Sequence, residues 1–263
     1  MKIGVFDSGV GGLTVLKELV RKAPQAEYLY FGDTARLPYG SKSAETVARY
    51  TISACKFLRQ HGAEMMVIAC NTATSQALPQ ITEAMDVPVI GVVEPGADAA
   101  AKLTKSNKVA VIATAGTVGS QAYRRALAAR GIEAHEQACP LFVPLVEEGW
   151  VDHPVTEQVA HVYMDEVFRN GSKETDVLVL GCTHYPLLRP LLRRVVPKHV
   201  AIVDSAESTA EAVAEKLAGA SKSDTRNCKL SFFATDSVEK FRKLGERFME
   251  QSLDNIQHID LEP

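Results

Sequence analysis

Short apolar runs alternate along this chain with longer stretches of helical periodicity. The β-rich runs are Lys2–Asp7, Tyr28–Gly32, Met65–Ala69, Pro88–Val92, Lys108–Ala113, Val177–Leu180, Val200–Val203 and Lys229–Phe233. Amphipathic helical segments lie between them, over Gly12–Lys22, Ala44–Gln60, Ala97–Lys105, Val118–Ala129, Thr156–Phe168 and Thr209–Leu217. Strands that are apolar throughout, rather than in alternation, are covered on both faces. Strand followed by helix followed by strand is the signature of right-handed crossovers and a parallel sheet. The pattern therefore predicts an α/β architecture with its ligand loops at the C-terminal ends of the strands. The polar stretch Gly219–Asn227 reads as a loop.

A faint duplication runs through this pattern. Lys2–Ser8 can be laid on Lys108–Thr114, roughly a hundred residues further on, and two cysteine-bearing strand ends share nearly that separation. Two similar lobes are expected, each a mainly parallel sheet flanked by helices. Residues 1–92 with 207–263 form the first and residues 93–206 the second, and a small ligand sits in the cleft between them.

Composition narrows the function. The 263 residues are 46% apolar and 23% charged, as in ordinary globular proteins. A net charge of −3 with no dense Lys/Arg run gives no basic face for nucleic acid, and the arginines of Arg189–Arg194 read as a solvated helix face. Met1–Asp7 has none of the features of a signal peptide, and no apolar run is long enough to span a bilayer. The five cysteines are odd in number and widely spaced, with no C-x-x-C pair, which points to a reducing, cytoplasmic setting.

Two of those cysteines carry the chemistry. Val67-Ile68-Ala69-Cys70-Asn71-Thr72 and Val179-Leu180-Gly181-Cys182-Thr183-His184 each deliver a thiol to a strand end and then pass into small polar residues. Presented alike, the two thiols suit an acid and a base on opposite faces of one substrate carbon. An unpaired strand cysteine is ordinarily a small buried hydrophobe. Here Asn71, Thr72 and Thr183 supply donors for a polar ligand, whereas Cys55 reads as core and Cys139 and Cys228 have no polar escort. The turn Asp7-Ser8-Gly9-Val10-Gly11-Gly12 lacks the full dinucleotide spacing, because Thr14 stands at the third glycine position, and it lacks a Walker lysine. Asp7 at its mouth would repel phosphate, so the turn fits better as a carboxylate beside a thiol, with Ser8 as a donor. His184 can shift the thiol/thiolate balance or shuttle protons. A zinc site on Cys182 and His184 needs a further ligand, such as Cys70 or Asp7, and no ligand spacing provides it. Glu147 and Glu148 read first as a solvated pair, either of which can hold the imidazole protonated. Pro38-Tyr39-Gly40 reads as a turn able to close over a ligand. A two-lobed binding protein, or a cysteine hydrolase with His184 as base, stays open on these residues alone.

Together, Asp7–Gly12, Pro38–Gly40, Ala69–Thr74, Pro144–Glu147 and Gly181–Pro186 resemble, in order, the glutamate racemase family of the aspartate/glutamate racemase superfamily. The resemblance implies a cofactor-independent enzyme interconverting L- and D-glutamate for peptidoglycan, with no metal, as a cytoplasmic homodimer. It implies Cys70 and Cys182 as the two bases, assisted by Asp7, Glu147 and His184. It implies substrate contacts from Asp7, Ser8, Pro38, Tyr39, Gly40, Asn71, Thr72, Thr114, Thr183 and His184. Ala113, before Thr114, stands where glycine is expected in the family. The chain also lacks the N-terminal extension of members activated by a cell-wall precursor. No phosphate cradle with a partner lysine is present for pyridoxal phosphate, so preorganised donors must stabilise the carbanion.

Overall fold

The computed structural model describes residues 1–218 and 228–261, so the loop expected over Gly219–Asn227 lies outside the described residues. The first elements are β1 (Lys2–Asp7), α1 (Leu13–Lys22), β2 (Glu27–Gly32), α2 (Ala44–Gln60), β3 (Met65–Ile68), α3 (Asn71–Glu83) and β4 (Val89–Gly91). There follow α4 (Val93–Leu103), β5 (Lys108–Ala113), α5 (Ala115–Ser120), α6 (Ala122–Ala128), β6 (Glu133–Ala138), α7 (Phe142–Glu147), α8 (Pro154–Asn170), β7 (Val177–Gly181), α9 (Arg189–Val195) and β8 (Ala201–Asp204). The last are α10 (Ser205–Leu217), β9 (Leu230–Ala234), α11 (Val238–Met249) and β10 (Ile256–His258).

These strands form two parallel sheets, ordered β10-β9-β2-β1-β3-β4 and β6-β5-β7-β8. The inner strands are buried along nearly their whole length, as their unbroken apolar composition requires. The duplication is a match of register as well as of order. Val5 on β1 lies between Tyr30 and Val67 in the first sheet, and Val111 on β5 lies between Glu136 and Val179 in the second. Cys70 and Cys182 therefore leave equivalent strands, β3 and β7. Asp7 and Ala113 end the two equivalent central strands, and the Ala113 methyl packs against Gly181, where an added Cβ would lie 3.2 Å away.

Several element ends differ from the sequence expectation. The segment expected as one helix over Val118–Ala129 is two helices, with Gln121 between them at φ 55°. Gly116, Gly119 and Ser120 are weak helix formers, and the left-handed residue ends the first helix. That helix also starts earlier than expected, because Thr114 caps it by accepting the Thr117 N–H. In the same way Asp204 accepts the N–H groups of Ala206 and Glu207, which moves the start of α10 back to Ser205. The sequence reading missed β6 and β10. The first, Glu-Ala-His-Glu-Gln-Ala, is a polar edge strand, and the second is three residues long at the other sheet's edge. Backbone pairing, not hydrophobic pattern, makes both of them strands. Helix α10 packs on both α1 and α4, and exposed pairs such as Lys22–Glu211 at 2.8 Å decorate the α1 side of that contact. No helix among the described residues is long and apolar enough to cross a membrane.

Candidate active site

The strand ends of the two sheets face each other across a cavity of about 370 Å³. Ser8, Pro38, Tyr39, Gly40, Asn71, Thr72, Thr114, Glu147, Thr183 and His184 line it together with Cys70 and Cys182. Of the residues that the resemblance assigned to the site, Asp7 alone does not line the cavity. It lies behind the wall, buried, with Oδ2 accepting the Gly9 N–H at 2.9 Å. Its Oδ1 has no hydrogen-bond partner among the described residues. An apolar rim of Leu37, Pro140, Val143 and Pro144 completes the mouth. Of these the sequence reading quoted only Pro144, within Pro144–Glu147; Leu37 and Pro140 lie in loops and Val143 in the six-residue α7, which is too short to carry a periodic signal.

Cys70 caps α3, its sulfur accepting the Ala73 N–H at 3.5 Å and lying 3.5 Å from Ser8 Oγ, to which the thiol donates. Burial pushes this thiol up to about 12, and the Asp7 carboxylate adds to the shift, against the Ser8 hydroxyl and nearby amides. Burial likewise raises the Asp7 carboxyl above its ordinary range, with His184 opposing it. The equivalent place behind Cys182 holds no carboxylate, because Ala113 stands there. Cys182 instead has His184, whose Nδ1 lies 4.0 Å from its sulfur, and the other nitrogen, Nε2, lies 3.1 Å from Glu147 Oε1. Burial works against the imidazolium, but Cys182 and Glu147 outweigh it and hold the His184 pKa at about 10. The same hydrogen bond lowers Glu147 below its ordinary value, against burial. Glu147 is thus the member of the acidic pair that reaches the site, while Glu148 is exposed.

The hydroxyls and amides are held from behind. Asn71 receives the Tyr123 hydroxyl at 2.8 Å and donates to Ser205 Oγ at 3.4 Å. Thr72 and Thr114, from opposite sheets, lie 2.9 Å apart through their hydroxyls, and Thr117 joins them. The Tyr39 hydroxyl donates to the buried Asp33, which does not line the cavity. Cys55 is buried in α2 as expected, and all five cysteines are free thiols. No group of three or more His, Cys, Asp or Glu side chains among the described residues is arranged to hold a metal ion.

Such a cavity can strip a proton from one face of a small polar molecule and return one to the other, with neutral donors lining the space between. Comparison with known proteins agrees. The family model for Asp/Glu/hydantoin racemase matches residues 3–213. A glutamate racemase of Koribacter versatilis is 57% identical over 98% of this chain and 97% of its own. The crystal structure of glutamate racemase isoform RacE1 from Bacillus anthracis superposes with a TM-score of 0.93 at 38% identity, covering 98% of this chain and 97% of that one. Glutamate racemase from Francisella tularensis, solved in complex with D-glutamate, has a TM-score of 0.91 at 34% identity and covers 99% and 98% of the two chains.

Proposed function

The chain belongs to the Asp/Glu/hydantoin racemase family, and from that membership we infer that it interconverts L- and D-glutamate by moving protons between Cα and two thiols, Cys70 and Cys182. As in glutamate racemases generally, the D-glutamate serves peptidoglycan synthesis. The observation that carries the assignment of bases is the opening of both sulfurs into one cavity from equivalent strand ends of opposed sheets. One group on one face would tend to return the proton where it came from. Two groups, one from each lobe, give inversion.

The charge distribution suggests the resting arrangement. His184, with Cys182 and Glu147 as acceptors at its two ring nitrogens, is the protonated form, and its charge is placed to stabilise the thiolate that the reaction needs at Cys182. Cys70, held up at about 12, rests as the thiol. In one direction Cys182 takes the Cα proton while Cys70 delivers one to the other face, and the reverse reaction exchanges the roles. Asp7, raised by burial, stands behind Cys70 as a proton carrier. The carbanion is the costly species, since each tenfold in rate requires about 1.4 kcal/mol of added stabilisation. Ser8, Asn71, Thr72 and Thr183 are the donors assigned to it and to the substrate carboxylates, and Pro38, Tyr39, Gly40 and Thr114 shape the wall. We take residues 1–92 with 207–263 as the first lobe and 93–206 as the second. We also assign a cytoplasmic homodimer, which light scattering at twice the chain mass would support.

In deuterated water, label should enter Cα of both enantiomers with no added cofactor. Cys70→Ala and Cys182→Ala should each lose at least about a thousandfold in racemisation. Full turnover in either variant would sink the two-thiol assignment, and faster turnover of aspartate than of glutamate would sink the substrate.

A further inference from the structure

One hydroxyl joins the two lobes behind the reacting groups. Thr14, on α1 and buried, has its Oγ1 3.0 Å from the Thr183 carbonyl and 2.9 Å from the Gly11 carbonyl, so one proton is shared between two acceptors. Thr183 is the residue between Cys182 and His184. The tight turn after it, Tyr185–Leu188, satisfies its neighbours locally: the Cys182 carbonyl accepts the Tyr185 N–H at 3.1 Å and the His184 carbonyl accepts the Leu187 N–H at 3.2 Å. The Thr183 carbonyl would look to residue 186 for the same bond, but Pro186 has no N–H to give. Proline thus frees this carbonyl, and the first lobe supplies its donor.

The same loop rests on the glycine turn. A Cβ on Gly11 would lie 2.3 Å from Thr183 Oγ1 and 2.5 Å from His184 Nδ1, the nitrogen that faces Cys182. The Phe248 ring meets the His184 imidazole at near right angles, with centroids 5.4 Å apart. Neither Gly11 nor Thr14 lines the active-site cavity. The glycine-rich turn that resembles a phosphate loop therefore has another use: its bare backbone and the hydroxyl one turn later form a seat for the Cys182–His184 segment.

We propose that Thr14 is a positioning residue, whose hydroxyl clamps the Thr183 carbonyl across the lobes and so holds the Cys182–His184 pair in register with Cys70. The proposal rests on the two-thiol reading. Valine would fill the same space and leave each lobe's core intact, but the Thr183 carbonyl would lose its donor and the loop its anchor. Positional errors of about an ångström at reacting groups cost up to about a hundredfold in rate.

The test is Thr14→Val beside Thr14→Ser, with thermal melting to check the fold. Thr14→Val should lower kcat by about ten- to a hundredfold while KM moves less than about threefold, and Thr14→Ser should stay within about threefold of the parent. Isotope effects on kcat/KM with α-deuterated L- and D-glutamate should become unequal in Thr14→Val, because only the Cys182 half is displaced. If Thr14→Val does not fold, Thr14→Ala, which adds no bulk, is read by the same criteria. Turnover within about twofold of the parent, equal damage in the serine variant, or isotope effects that rise equally for both enantiomers overturns the clamp. Parent-like Thr14 variants beside inactive Cys70→Ala and Cys182→Ala overturn the clamp alone, whereas active cysteine variants overturn the two-thiol reading itself.

Discussion

Cys70 and Cys182 end equivalent strands, yet the groups behind them differ in sign. A buried carboxylate, Asp7, stands behind the first, and an imidazole paired to Glu147 stands beside the second. The first environment favours a thiol and the second a charge pair. Glu147→Gln tests that difference. It keeps the shape and an acceptor oxygen but removes the charge that helps to raise His184. The His184 pKa should fall, so the imidazolium is lost at lower pH. The alkaline limb of the kcat/KM profile should move to lower pH, with kcat reduced by roughly tenfold at neutral pH. An unmoved alkaline limb in a pH–rate series would show that Glu147 does not set the charge on His184. At this scale the sequence pointed to the thiols, because each sits between an apolar strand and polar helix starters. The residue pattern left Glu147 and Glu148 equivalent, since adjacent residues look alike until a helix turns one of them inward, and only the family resemblance singled out Glu147. Nor did it show that the Tyr39 hydroxyl is taken by Asp33.

Backbone approach, more than side-chain chemistry, sets the active-site turns at the level of elements. Gly32, at the end of β2, has the Gly9 carbonyl oxygen 2.4 Å from where a Cβ would stand, with a Phe241 ring carbon at 2.8 Å. Gly9 in turn donates its N–H to Asp7, and its carbonyl accepts the Tyr30 hydroxyl at 2.9 Å. Gly32→Ala must push the turn or the ring away, and should cost about 1–3 kcal/mol in urea unfolding together with a drop in kcat. Gly119→Ala is the control. Nothing lies within 4 Å of its added Cβ, and its helical position should make the change neutral or stabilising by up to about 1 kcal/mol. Equal stability of the two variants would contradict the packing argument. The core strands were legible because burial on both faces makes them apolar without interruption. The edge strand β6 was not, because its polar residues face partly solvated surroundings, and the break at Gln121 was hidden inside a run with helical periodicity.

For the whole molecule, the buried charge cluster ties stability to pH. His184 is raised from an ordinary 6.5 to about 10 in the folded state. Its contribution is fully present below pH 6.5 and is lost as pH rises through about 10. Glu147 is lowered, so its contribution is present above its ordinary value of 4.5 and is lost as pH falls below it. Asp7 is raised, so the fold loses stability as pH climbs past 3.8 and that carboxyl ionises. Urea unfolding at pH 6.5 and pH 10 should show the parent losing more than about 1 kcal/mol beyond any loss in His184→Gln. Identical pH dependence in the two proteins would mean that the imidazolium gains nothing from folding. By itself the sequence determined the α/β class, the repeated half-molecule and the two thiol-bearing strand ends, because burial and turn chemistry write those features locally. Only the tertiary structure decided which groups face each thiol, why Thr14 meets Thr183, and how Glu147 meets the imidazole at its far nitrogen. Those contacts join residues far apart in the chain, and their pairing depends on how the two sheets are opposed rather than on any local periodicity.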